Sequence, residues 1–245
     1  VSGNTVYDCA EDGITVYASI VDVLDNVIHL CGSENGALYL YLSDDSVVRG
    51  NLIYDNTAIG LLIHHSADVT VEENRIYGND DSDDSKYSGS AGIWITSSST
   101  VASLEGNEIR DNVTLNLRWD GTGTIDASGN WWGTDDPTVV AALLDVSNVD
   151  FSPMLTTGVD GDLGTPGWQP DFTVLTVHLL GQQAGTVGRI QEGLNRVAGS
   201  TVYVAAGAYQ ESLASWKDLE IVKSVELIGA GSGETLFELS RNKAN

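Results

Sequence analysis

The sequence predicts an all-β chain wound as a parallel β-helix solenoid, on three observations. Asparagines at Asn4, Asn26, Asn51, Asn74, Asn107 and Asn130 follow one another at steps of 22, 25, 23, 33 and 23 residues, and a period of this size marks a solenoid. Apolar residues keep a fixed distance from them: Val6, Ile28, Ile53, Ile76, Ile109 and Trp132 two positions after, and Val1, Val23, Val48, Val71, Leu104 and Ala127 three before. Within each period the runs are strand-like, as in Gly60–Ile63, Val69–Glu72 and Gly92–Ile95, and no period holds about ten residues at helical spacing.

A period of 22 to 25 residues accommodates three short strands and three turns, which makes one coil, each coil lying roughly 4.8 Å above the last. Asparagine suits the turn column because it tolerates left-handed backbone angles and its amide can bond the asparagine of the next coil. In chain order, residues 1–134 are the coils. Val1 falls in an inward column with half a coil missing before it. Arg241–Asn245 written ahead of Val1–Asn4 parallels Ser66–Asn74, so the two ends read as halves of one coil. Coils follow from Ile20 to His65. The excess of the fourth interval, Gly78 to Lys86, is a loop. The Trp131–Trp132 pair closes the array, with its rings sealing the lower end of the core. Residues 135–172 carry all four prolines and read as a linker or crossover with one short helix at Thr138–Leu144. Residues 173–245 read as the head of a β-helix: a cap helix over 187–198 with Ile190, Leu194 and Val197 on one face, then strands at Thr201–Ala205 and Val225–Ile228. The head therefore comes after the tail, so the solenoid is permuted or completed by a neighbouring molecule.

A chain of 245 residues, 42% hydrophobic, can bury a sizeable core. Eleven basic against 35 acidic residues leave 11 − 35 = −24, a poor surface for nucleic acid or anionic membrane and a reasonable one for calcium. The chain opens without methionine or a secretory leader and has no apolar run long enough to span a bilayer, which reads as a mature or excised piece with no membrane insertion. Its Gly-, Ser-, Thr-, Asn- and Asp-rich composition fits an extracellular or cell-surface protein.

The asparagine repeats, the closing Gly129–Thr134 and the segments Gly188–Gly193 and Thr201–Tyr209 resemble right-handed parallel β-helix repeat proteins, the pectate-lyase-like superfamily, and most closely the β-helix modules of large repetitive microbial surface proteins. The resemblance implies a right-handed solenoid. It does not choose an activity, because this scaffold hosts lyases, hydrolases, epimerases and non-catalytic adhesins alike.

Candidate sites follow from the columns. Tyr39, Tyr41, His64 and Trp94 are expected on outward strand positions with Arg118 beside them, an aromatic row on which sugar rings can stack and an arginine that can meet a uronate; a self-stacked ladder is the alternative. In His64–His65, strand alternation is expected to send one side chain in and the other out. Asp80, Asp81, Asp83 and Asp84 are candidate calcium ligands or a solvated acidic loop. Cys9 and Cys31 both lie five residues after a ladder asparagine (4 + 5 and 26 + 5), so they stack in adjacent coils, as a disulfide or as two free thiols. Asn112 heads a glycosylation sequon but shares a turn column with Cys9, Cys31, Asn56 and Asn79. One acidic turn column, Asp8, Leu30, Asp55, Gly78 and Asp111, is a weak catalytic candidate, and no residue is assigned a catalytic role. The leading expectation is a non-enzymatic module of an extracellular filament or surface array, assembling head to tail with its own kind or with a tandem neighbour. The alternative is a β-helix that binds or degrades polysaccharide.

Overall fold

The structure, a computed structural model, describes residues 1–32, 35–80, 91–145, 147–211 and 219–238. The expected all-β parallel solenoid is what the chain forms. Its first sheet contains β1 (Thr5–Tyr7), β4 (Val27–His29), β7 (Leu52–Tyr54), β10 (Arg75–Tyr77) and β13 (Glu108–Arg110). The second contains β2 (Ile14–Tyr17), β5 (Gly36–Tyr41), β8 (Ile59–His64), β11 (Ala91–Ile95) and β14 (Leu115–Trp119). A third holds β3 (Asp22–Leu24), β6 (Val47–Arg49), β9 (Val69–Glu72) and β12 (Val101–Glu105). Consecutive strands fall in different sheets, and each pairs in parallel with the strand one period away.

Register turns sequence columns into spatial ones. Val6, Ile28, Ile53, Ile76 and Ile109 are directly paired across five coils. The four isoleucines are fully buried, together with Val23, Val48 and Val71 from the third sheet and Leu40, Ile63 and Ile95 from the second. Each such side chain contributes about 2 kcal/mol by leaving water, and a period-2 strand delivers it to the core while its neighbour faces out.

Between the third and first sheets runs an amide ladder. The Nδ2 of Asn4, Asn26, Asn51, Asn74 and Asn107 each donates to the Oδ1 of the next ladder asparagine at 3.0 Å. That same Oδ1 accepts the backbone N–H of the preceding ladder residue at 2.8–3.1 Å. The second Nδ2 hydrogen reaches the carbonyl of Val1, Val23, Val48, Val71 or Leu104, the residue three before the preceding asparagine. The left-handed backbone angle expected at the asparagines falls instead one residue earlier, on Gly3, Asp25, Gly50, Glu73, Gly106 and Gly129, with φ of 56 to 73°. The sharp turn is made there, mostly by glycine, and asparagine is required for its bonds. A second, shorter ladder follows the next turn: Cys31 N–H to Asn56 (3.0 Å), then Asn56 to Asn79 (2.8 Å), Asn79 to Asn112 (3.0 Å) and Asn112 to Asn116 (3.2 Å). Serine plays the part at the third turn, where Ser43 and Ser66 donate to the hydroxyls of Ser66 and Ser99.

Beyond Trp132 the chain does not simply unwind into a linker. Asp136 caps α1 (Pro137–Ala141) by accepting the N–H of Thr138, so this helix starts one residue before the expected one and ends sooner. β15 (Ile125–Asp126) pairs with β16 (Val149–Asp150), and β17 (Met154–Leu155) stacks on the tail through Leu155 N–H to Asn130 C=O at 3.1 Å. Then direction reverses: β18 (Val174–Val177) is antiparallel to β17, and β19 (Thr201–Val204) and β21 (Glu226–Gly229) continue parallel to β18. β20 (Gly207–Gln210) pairs with β22 (Thr235–Glu238), and α2 (Arg189–Arg196) is the expected cap helix, burying Ile190 and Leu194.

Two cores result, on opposite faces of one strand run. Trp132 and Met154 pack into the core of the coils, while their chain neighbours Trp131 and Leu155 pack with Leu175, Val177, Ile190, Leu194 and Tyr209. The expectation that both tryptophans seal one core is corrected by strand alternation, which sends adjacent side chains to opposite faces. The segment between β17 and β18 lies along the ladder turn: Trp168 donates its N–H to Glu73 C=O at 2.8 Å, and Pro170 and Phe172 sit against Gly106 and Gly129. Among the described residues the C-terminal segment pairs with the tail and not with the Val1 coil, because the antiparallel seam and α2 hold it there. The reading of Arg241–Asn245 as the missing half of that coil lies outside the described residues.

Replacing Asn74 with Ala leaves the Asn51 donors and the Val48 carbonyl without partners in a buried site, at a cost of about 3 kcal/mol. The same change at exposed Asn4 is expected to cost less than about 1 kcal/mol. Guanidinium unfolding of both variants checks the contrast.

Candidate functional site

The five residues expected to bind sugar do converge on the outer face of the second sheet. Tyr39, Leu62, Trp94 and Arg118 form one register row, and Tyr17, Tyr41 and His64 the next. They do not form an exposed platform. Tyr39 and Trp94 are only 8% and 5% exposed, in a small outer cluster with Ile59, Leu62 and Ala91. The Arg118 guanidinium lies 3.7 Å from the Trp94 ring centre, and both groups bond Asp120. Tyr17, Tyr41 and His64 stack on one another at 5.1 and 5.4 Å. His65 is not turned inward: β8 ends at His64, His65 takes φ of 50°, and its ring meets His64 edge-on at 4.3 Å. The alternation rule fails there because the strand has ended.

A longer aromatic ladder runs along the first sheet. Tyr7, His29, Tyr54 and Tyr77 stack on the outside of the first sheet at 5.6, 5.0 and 5.4 Å with interplanar angles of 15, 7 and 17°, and Arg110 closes it 4.6 Å above Tyr77. The signal lay in plain view as the third residue after each ladder asparagine. These rings face one another along the solenoid axis, so apart from the outer face of Tyr7 their faces are occupied and only edges meet solvent. Such stacking fixes coil register, worth about 0.5–1.5 kcal/mol per aromatic pair, rather than offering a sugar platform.

Of the calcium candidates, Asp81, Asp83 and Asp84 lie outside the described residues, and Asp80 continues the coil through its N–H to Asn56 C=O. No group of three or more His, Cys, Asp or Glu among the described residues is arranged to hold a metal. Cys9 and Cys31 stack as expected and are free thiols, the second of the two readings. Burial, and then Cys9 beside it, push the Cys31 thiol up to about 12. Both Nδ2 hydrogens of Asn112 are used, toward Ile76 C=O and Asn116 Oδ1, inside a buried site, which leaves the sequon amide no room for a glycan. In the acidic turn column, Asp8, Asp55 and Asp111 are left-handed turn residues, and Asp111 is paired with Arg110.

The densest charge cluster sits at the seam. Arg196 on α2 holds Glu105 of β12, Asp126 of β15 at 2.8 Å and Glu192 at 3.1 Å. Cavities of about 450 and 310 Å³ open on either side of it. Arg189 meets fully buried Asp150 at 3.2 Å. Glu211 accepts the first helical N–H groups of Ile190 and Gln191 at 3.0 and 2.9 Å, replacing the side-chain cap that Gly188 cannot provide. Two arginines thus meet four carboxylates, with Glu211 a fifth at the start of the helix. Burial, then the charges of Asp126 and Asp150, push Glu192 up to about 7; burial pushes Asp150 up to about 6. Burial and Arg189 push His178 down to about 3, so it stays neutral.

Residues 1–132 match the family model described as a right handed beta helix region. The chain belongs to the right-handed β-helix family. No curated protein and no solved structure matches it. In this β-helix the matched stretch is the ladder-bearing stack, and the family membership carries the fold without choosing among the functions the fold supports.

Two outcomes are expected of the β-helix in solution. A thiol reagent at pH 8 should label Cys9 in the native protein and spare Cys31 until the chain is unfolded, as mass spectrometry of labelled peptides would reveal. The seam should tighten on acidification. Glu192 binds its proton in the folded protein at a pH where the unfolded chain, with its ordinary value near 4.5, does not. Stability is therefore gained as pH falls through about 7 and is complete below about 4.5. The gain is on the order of 3 kcal/mol, and Glu192→Gln should be more stable than the parent at pH 8 and flatten the slope, read by thermal melts across that range.

Proposed function

We propose that this β-helix is a non-enzymatic structural module of an extracellular filament or cell-surface array, joined head to tail by strand addition. The observation that carries the reading is the state of its edges. Among the described strands, β1 and β2 each pair on one side only, as do β21 and β22 at the far end, while the second edge of β3 is already bonded by Val1–Gly3 through Leu24. Open edges of a sheet are templates for another chain's backbone. Contact between unlike ends does not close on itself, so it propagates as a fibre. The rest of the molecule suits a load-bearing part. Its polar columns are spent on ladders, its stacked aromatic rings on one another, and its described arginines on carboxylates of the coils and the seam.

The charge of −24 opposes association of like copies over a range set by salt. It fits an exterior of high ionic strength or one supplied with divalent cations. Electron microscopy of concentrated protein is expected to find rods of uniform width that lengthen as salt is raised. Monodisperse particles at every salt and protein concentration would reject the reading. So would turnover of uronate polymers into unsaturated or reducing ends.

A further inference from the structure

We infer that the open face of β21 and β22 is the docking surface for β1 and β2 of a second copy of this chain, in one defined register; this rests on the head-to-tail reading above. Three observations specify it. The offset between the two strands is the same at both ends, 14 − 5 = 9 residues from β1 to β2 and 235 − 226 = 9 from β21 to β22. Laying Glu226 opposite Thr5 therefore lays Thr235 opposite Ile14, and both strand pairs fall into place together.

The same register matches side-chain polarity on both strands. Leu227 pairs with buried Val202, and Phe237 with buried Tyr209, so both point toward the second core. Leu227 is partly buried against that core, and Phe237 is left 46% exposed. Across the contact Leu227 meets Val6 and Phe237 meets Val16, each of which points into the core of its own coils. A shift of one residue would set inward against outward positions on both strands at once.

The outward column also continues. Tyr203 and Ile228 are paired, both about half exposed, and Ile228 falls opposite Tyr7. Tyr7 is 61% exposed and forms the end of the stacked row Tyr7, His29, Tyr54 and Tyr77. Docking would cover the one ring face of that row left open and extend the first sheet from one copy into the next, with the parallel strand sense already present in β18, β19 and β21.

Cysteine cross-linking tests the register. In a chain with Cys9→Ser and Cys31→Ala, the pair Tyr7→Cys with Ile228→Cys brings Cα atoms to about 5 Å across adjacent strands, within disulfide reach. Mild oxidation is expected to give a ladder of covalent multimers on a denaturing gel, lost on reduction. The control pair Tyr7→Cys with Tyr203→Cys, one coil out of step, is expected to give at least tenfold less. Multimers that assemble but bridge equally well through the control pair would overturn the register and leave the head-to-tail reading standing. Absence of any assembly in the parent chain, judged by light scattering after size exclusion, would overturn both. Phe237→Asp is expected to abolish assembly while keeping the far-ultraviolet circular dichroism of the parent; assembly that survives this change would reject the surface.

Discussion

A buried primary amide is the constraint around which this molecule is arranged. Asn26, Asn51, Asn74, Asn107 and Asn130 are fully buried, and an amide taken out of water costs several kcal/mol unless all its hydrogen-bonding capacity is met. The ladder meets it with partners that exist only when coils are stacked in one register. A one-residue slip would remove the acceptor for an N–H, an amide hydrogen and a carbonyl in every coil. The hydrophobic columns tolerate local variation, as Trp132 and Ala127 replacing the usual isoleucine and valine show. The ladder does not, and it thereby specifies which of many apolar stackings is the native one.

The second organising feature is the seam. A sheet that carries one core on each face lets the chain end one stack and begin another without exposing the edge of either. Reversal of strand direction at β17 and β18 accomplishes this in two residue pairs, Met154 with Thr176 and Leu155 with Leu175. Charge then joins what apolar packing does not reach. Arg189 and Arg196 extend from α2 toward carboxylates on β12, β15 and β16, and burial together with the excess of acid over base there makes this joint responsive near neutral pH.

Much of this was legible in the residues themselves. The coil period, the inward columns, the cap helix and the two cysteine positions all follow from spacing, because a solenoid converts sequence distance directly into spatial neighbourhood. Readings failed where a local event broke that conversion. His65 follows the end of a strand, so alternation did not apply. Trp131 lies next to Trp132 but serves a different core, and no periodicity in the coils announces that a second core exists. Tyr39 and Trp94 were correctly placed on an outer face, yet burial of an outer face depends on what lies over it, which column arithmetic does not contain. The aromatic row from Tyr7 to Tyr77 has the same spacing, three residues after each ladder asparagine, but its residue types vary between Tyr and His, so composition alone does not mark it as a column.

The long fourth interval has its own consequence. Ladder asparagines on its two sides bond at 3.0 Å, Asn74 to Asn107 and Asn79 to Asn112, as they do across intervals ten residues shorter. Chain length at that turn is thus uncoupled from the stack, and the entropy of closing a longer excursion grows only as a logarithm, about 0.6 kcal/mol per doubling. A tag, an epitope or a whole domain inserted between Asn79 and Ala91 is therefore expected to leave the ladder bonds on both sides of it intact.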